Sequence, residues 1–247
     1  MAHLHIPKPL HGWRAFAGEV GIIVLGVLIA LGFEQIAQAI HWRYESGKAL
    51  DAVRNEAVSH YRGAAELEVT APCVDEQLQA LEKGLLTEGQ GPIAAPIPPE
   101  SLSGKIFAAP NWSWSDDVWR SIESAGVAPH IDRELRQKLA YYYSKVGIMR
   151  ENDRETLLIG QKLRVLAEPL QLDTASRAQF LQQLEEARGH YRFMTTLGAQ
   201  IMEFDDALRW VPAADQLHRI ASSPTVRYCR AHHLPLGSAH PKPVHIE

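Results

Sequence analysis

The feature that most constrains this chain is an uninterrupted apolar run near its N-terminus. Residues 20–33 read VGIIVLGVLIALGF and contain no polar side chain. Extended back to residue 15, the run carries a single charge, at Glu19, and as a helix it spans about 28 Å, close to the hydrocarbon thickness of a bilayer. A buried core helix rarely lacks polar residues over four turns. We therefore predict one transmembrane helix over residues 15–40, after a short flank at residues 1–14.

The residues around this helix indicate its orientation in the membrane and whether it is cleaved. Lys and Arg are balanced, two on each side within twenty residues, and the free amino group on the short N-terminal flank favours a cytoplasmic N-terminus. Ala37-Gln38-Ala39 has the small-x-small pattern of a signal-peptidase site, so cleavage is the alternative. Because the helical pattern continues through Ile36 and Ile40, we favour an uncleaved anchor.

The two cysteines, Cys73 and Cys229, both lie outside the membrane helix. A pair is the minimum for one disulfide, which would close a loop worth roughly 4–5 kcal/mol in the chain-entropy description. The alternative is two unrelated buried thiols. A disulfide favours a domain outside the cytoplasm. The net charge of −4 argues against a nucleic-acid partner, which needs clustered Lys and Arg.

Beyond the membrane the chain predicts an all-α fold, a helical bundle with a long antiparallel hairpin. Apolar residues recur at 3/4 spacing over residues 131–167 and again over residues 180–208, so each helix has one apolar face. Asp173 and Ser176 are candidate caps between them. Pro72 predicts the start of a helix, residues 89–101 predict a proline-rich loop, and residues 213–222 predict the last helix. No long alternating run typical of a β-strand occurs. The domains are then 41–233 for the helical domain and 234–247 for a disordered tail.

Two acids interrupt the apolar faces of the hairpin. With the turn near residue 171, residues opposite one another sum to about 342, which places Asp153 near Arg188 and Arg192, and Asp205 near Arg136 and Arg133. We therefore predict interhelical ion pairs that fix the register more than they add net stability.

Small residues mark the membrane helix as a packing surface. Gly26 and Ala30 form a small-xxx-small pair, with Gly18 and Gly21 close in sequence. Such residues let two helix backbones approach closely within a bilayer. We expect self-association or contact with a partner helix through them.

No familiar catalytic or cofactor-binding pattern occurs in the chain. It lacks HExxH, a phosphate-binding glycine loop, GxGxxG, GxSxG and CxxC. Carboxylate-bridged metal ligation in a bundle needs Glu-x-x-His on two helices, and neither is present. We therefore expect no enzyme activity, no catalytic residue, no cofactor and no metal site.

Residues 7–44, with Gly-Glu-Val leading into IIVLGVLIAL and then Glu-Gln, resemble the N-terminus of a family of bacterial single-pass membrane proteins. Ala71-Pro72-Cys73 and the spacing of Trp114 and Trp119 are also similar to members of that family. The resemblance implies a membrane-anchored bacterial protein, and it carries no activity, cofactor or catalytic residue with it.

These features together favour an accessory or scaffold subunit of a bacterial inner-membrane assembly. The N-terminus would be cytoplasmic and the main domain periplasmic. Its partners would be the lipid bilayer and other membrane proteins or a second copy of itself. A periplasmic sensory or ligand-binding bundle is the main alternative, and an enzyme with an unrecognised site is a third.

Overall fold

A computed structural model describes residues 13–87, 105–168 and 171–238, and within these residues all regular structure is helical. The α-helices are α1 (Trp13–Leu86), α2 (Asp117–Ser124), α3 (Arg133–Leu163), α4 (Thr174–Leu208), α5 (Ala214–His218) and α6 (Pro224–Ala231). Short 3-10 turns occupy Ala128–His130, Arg164–Ala167 and Ile220–Ser222. The all-α prediction is confirmed. The predicted flank up to residue 12, the proline-rich loop at 89–101 and the tail from residue 239 lie outside the described residues.

The chain divides into two compact units, Met1–Lys48 and Ala49–Glu247. In the first unit, α1 carries the apolar run, and the side chains described from Phe16 to Phe33 are exposed. This part of α1 is long enough and apolar enough to cross a membrane, and none of its most apolar 18-residue window is buried.

In the second unit, α3 and α4 form the predicted antiparallel hairpin. His190 Nδ1 donates to Asn152 Oδ1 at 2.7 Å, and Lys145 Nζ donates to Gln200 Oε1 at 2.7 Å, so the numbers of opposite residues sum to 342 and 345. Asp173 caps α4, because its carboxylate accepts the backbone N–H of Ser176. The register of the hairpin is therefore close to the one that the sequence predicts.

The third long helix of this unit is the part of α1 from Ala49 onwards. The hydroxyls of Thr70 and Tyr191 lie 3.1 Å apart, and a Cβ placed on Gly198 would lie 3.2 Å from the Cβ of Ala64. The residue numbers of the contacting pairs decrease along α1 as they increase along α4, so these two helices are antiparallel. It follows that α1 and α3 run parallel, and the chain between them must return along the bundle.

Residues 105–116, which we name the return segment, make that passage in a non-helical conformation. The buried side-chain amide of Gln77 makes two hydrogen bonds to Ala108 of the return segment. It accepts the N–H of Ala108 at 2.7 Å and donates to the Ala108 carbonyl at 3.1 Å. Further down, the indole N–H of Trp112 donates to Glu66 Oε2 at 2.6 Å. The return segment therefore lies antiparallel to α1.

Two glycines allow the return segment to pack against the helices. A Cβ added to Gly63 of α1 would meet the indole rings of Trp112 and Trp114 at 3.0 and 3.1 Å. A Cβ added to Gly160 of α3 would meet the aliphatic part of Lys105 at 2.9 Å. A side chain at either helix position would press on side chains of the return segment and require them to shift.

Pro72 does not start a helix, and that prediction is wrong: it lies inside α1. A proline there has no N–H for the carbonyl of Glu68 and its ring disturbs the turn before it. The disturbed turn is covered by the end of the chain, because the N–H of Gly237 donates to the Val69 carbonyl at 2.8 Å. A Cβ on Gly237 would lie 2.9 Å from the Glu68 carbonyl oxygen, so this close approach requires a glycine.

The C-terminal part of the described chain differs from the prediction in two respects. The expected helix at 213–222 is the short α5 followed by a 3-10 turn, and α6, which carries Cys229, was not predicted. The predicted disordered tail also begins too early, because Gly237 is hydrogen-bonded to α1. Cys229 and Gly237 are both joined to α1, by the disulfide and by the hydrogen bond, and local sequence patterns do not report such long-range contacts.

Candidate functional site

The small residues of the apolar stretch are open on all sides. A Cβ added to Gly18, Gly21 or Gly26 would meet no atom within 4 Å. At 100° per residue, Gly26 lies seven residues after Glu19 and four before Ala30, so these three share one helix face. This face holds the candidate contact surface of the first unit.

Cys73 of α1 and Cys229 of α6 form a disulfide, with their Sγ atoms 2.02 Å apart. Both are fully buried. The cross-link joins the last quarter of α1 to α6, 156 residues later. It thereby closes nearly the whole second unit into one covalent loop.

The predicted pair between Asp153 and Arg188 is wrong. The Arg188 guanidinium faces α1 instead, where it pairs with Glu82 at 2.8 Å and Asp75 at 3.4 Å, and it also meets Glu185 one turn earlier in α4. Asp75 is shared with Arg192. Arg188 therefore fixes α4 to α1 and not to α3.

Asp153 lies close to Lys105 of the return segment. Burial raises the pKa of this carboxyl and lowers the pKa of the Lys105 ammonium, and the charge of each partly opposes the shift of the other. The sequence predicts that Asp153 pairs with an arginine of α4 across the hairpin. In the structure its charge interacts instead with Lys105, between α3 and the return segment.

The predicted pair between Asp205 and Arg136 is also wrong. Asp205 is fully buried, and neither carboxylate oxygen has a hydrogen-bond partner in the described chain. Burial, with a smaller contribution from the charge of Asp206, raises its pKa to about 9. Arg136 donates instead to the Ala128 carbonyl at 3.3 Å. Asp205 is therefore a neutral, protonated acid in the core at neutral pH.

Further buried polar groups lie in the same layer of the core. His60 Nδ1 lies 3.0 Å from the Tyr142 hydroxyl, and its Nε2 has no partner in the described chain. Burial lowers the pKa of His60 to about 4. Tyr143 donates to Glu56 Oε2 at 2.6 Å, and burial raises its pKa. His60 is stacked on Trp114 at 5.8 Å. Tyr142 also borders a cavity of about 460 Å³ between α3 and α4, whose lining does not include His60.

A separate cavity of about 450 Å³ lies where the return segment meets the chain around α6. Trp112 forms one wall and is held by Glu66. The guanidinium carbon of Arg62 lies 5.2 Å from the centre of the Trp112 ring, in cation–π contact. The lining is completed by residues of several separate stretches: Ala109, Asn111, Arg219, Ile220, Ser223, Pro224 and Thr225.

No metal centre is found within residues 13–87, 105–168 and 171–238, where no group of three His, Cys, Asp or Glu side chains is placed to hold an ion. The Trp112 cavity was not predicted from the sequence because three separate stretches of chain form it, at 62–66, 109–112 and 219–225. The one available signal was the cluster of tryptophans at 112–119, of which Trp114 and Trp119 are buried.

Comparison with models of protein families, with curated proteins and with solved structures finds no match to this chain.

Proposed function

We propose that this chain is a single-pass protein of the bacterial inner membrane, whose helical domain acts in the periplasm as an accessory or scaffold subunit of a membrane assembly. The observation that carries the proposal is the apolar stretch of α1, whose side chains are uncovered. So many adjacent apolar side chains are stable only when lipid or another protein covers them.

The face that holds Glu19, Gly26 and Ala30 is the proposed contact with a partner's membrane helix. Small residues allow close backbone approach, and an acid at the edge of an apolar run is costly unless it faces protein or the headgroups. Gly21 lies about 140° away around the helix, by the 100° spacing, and so presents a different surface.

Site-specific photo-crosslinking tests this contact in the intact membrane. A photoreactive side chain at position 26 or 30 of the full chain should give one adduct of discrete mass, and the same group at position 21 is the matched control. An adduct of twice the chain mass identifies self-association, and any other discrete mass identifies a partner subunit. Equal lipid-only labelling at all three positions would refute the proposal.

The compartment is proposed from the disulfide, since such bonds persist in oxidising compartments. Because both cysteines are fully buried, cells are quenched with acid, the protein is denatured, and a maleimide is added with or without prior reduction before the mass of the full chain is measured. We expect no label without reductant and two labels after it, at Cys73 and Cys229. Two labels without reductant would overturn the periplasmic assignment.

A further inference from the structure

The Trp112 cavity has the size and the polar lining groups that are typical of a small-molecule binding site. Its volume of about 450 Å³ falls within the range of ligand pockets. Its wall is rigid, because Trp112 is held at one edge by Glu66 and lies directly over the bare backbone of Gly63. A fixed wall of this kind costs little ordering on binding.

The charges around the cavity select the class of ligand. Arg62 has no carboxylate within ion-pair distance in the described chain, and its buried Nε has no hydrogen-bond partner. Arg219 is exposed and held only by Asp215, at 3.4 Å. Glu66 already accepts the Trp112 N–H. Glu66 is thus engaged by Trp112 and Asp215 by Arg219, which leaves Arg62 as a cation of the lining with no ion-pair partner among the described residues.

The remaining lining is mixed. Ala109, Ile220 and Pro224 offer apolar contact, and the Asn111 amide and the Ser223 hydroxyl offer hydrogen bonds. Ser223 is already engaged as the cap of α6, where it accepts the N–H of Val226. The surroundings suit a ligand with a small organic body and one anionic end, because guanidinium groups bind carboxylates through paired hydrogen bonds.

We propose that this cavity binds a small organic carboxylate, with its anionic group on Arg62 and Arg219 and its body against Trp112 and the apolar lining. The proposal is independent of the one made for the membrane helix, because no residue of the cavity lies in the apolar stretch of α1.

Calorimetric titration of the detergent-solubilised full chain tests the proposal with three probes, glutamate, succinate and phenylacetate, and with inorganic phosphate for comparison. We expect saturable binding of at least one carboxylate at millimolar concentration or below, and at least tenfold weaker binding of phosphate. Arg62→Gln and Arg219→Gln should each weaken the carboxylate at least tenfold.

Arg154→Gln is the matched control, because Arg154 is an exposed arginine on α3 whose nearest carboxylate is 4.0 Å away. It should leave the affinity unchanged. Arg219→Gln keeps the test valid if Arg62→Gln fails to fold, since the side chain of Arg219 is exposed and circular dichroism reports folding directly. Failure of all three carboxylates to bind at 10 mM, equal binding of phosphate, or equal loss in Arg154→Gln would each overturn the proposal.

Discussion

Replacement of Asp205 by asparagine should remove a pH-dependent destabilisation from this protein. The carboxyl is fully buried without a hydrogen-bond partner in the described chain, and its pKa is raised from 3.8 to about 9. The folded state therefore holds a proton that the unfolded state releases above pH 4. Stability from this group is present below the unfolded pKa and is lost as the pH rises towards 9.

His60 acts in the opposite sense over part of the same range. Burial lowers its pKa from 6.5 to about 4, so between these values the unfolded chain binds a proton that the folded chain does not. Between pH 4 and 6.5 the two groups change the free energy of unfolding with opposite signs and nearly cancel. Above pH 6.5 His60 no longer opposes Asp205, which lowers the free energy of unfolding by about 1.4 kcal/mol per pH unit. The contribution of Asp205 should then fall by about 3 kcal/mol between pH 6.5 and 9.

Guanidinium unfolding of the full chain in a non-ionic detergent, followed by tryptophan fluorescence, measures this dependence. Asp205→Asn should abolish most of the decline above pH 6.5 while leaving stability near pH 5 within about 1 kcal/mol of the unmodified protein. Asp215→Asn is the control, because the side chain of Asp215 is 67% exposed. If Asp205→Asn keeps the full decline, or if the unmodified protein is equally stable at pH 6.5 and 9, the buried acid is ionised or partnered and the reasoning fails.

Three further outcomes test the packing of the second unit by the same unfolding assay. Reduction, or replacement of Cys73 and Cys229 by alanine, should lower the free energy of unfolding by about 5 kcal/mol, since the closed loop is long. Gly63→Ala should lower it by about 1–3 kcal/mol because the new methyl group meets the indole rings of the return segment, whereas Gly189→Ala, which faces open space, should change it by less than about 1 kcal/mol in either direction. Gln77→Leu should cost about 2–4 kcal/mol, because two buried backbone groups of the return segment lose their partner. A loss of under about 0.5 kcal/mol on removal of the disulfide, in Gly63→Ala or in Gln77→Leu would contradict the packing described.

The hairpin was predictable from sequence because its determinants are local. The 3/4 spacing defines each apolar face, and Asp173 caps α4 three residues before the N–H that it accepts. Once the short turn is located, the helix rise alone fixes which residues lie opposite one another. The apolar run of α1 was predictable for the same reason, because its length and composition need no knowledge of a partner.

The ion pairs failed because a sequence does not state which neighbour a helix face meets. Arg188 lies on a face of α4 that packs against α1, where Asp75 and Glu82 are already within reach. Asp205 interrupts an apolar stripe without any cation opposite it, so it is neutralised by a proton and not by a salt bridge. Charge spacing along one hairpin is insufficient in a bundle of three long helices.

The parallel arrangement of α1 and α3 explains why the remaining polar contacts lie where they do. Parallel neighbours require the chain to travel back between them, and a non-helical passage exposes backbone groups that must be satisfied. Gln77 satisfies one such pair. The Trp112 wall, its Glu66 acceptor and the disulfide from Cys73 lie along the same part of α1, where the return segment and α6 meet it. The cavity is therefore a consequence of the topology. The return segment and residues 219–225 both cover α1, and the space between them is lined by side chains that hold these segments in place.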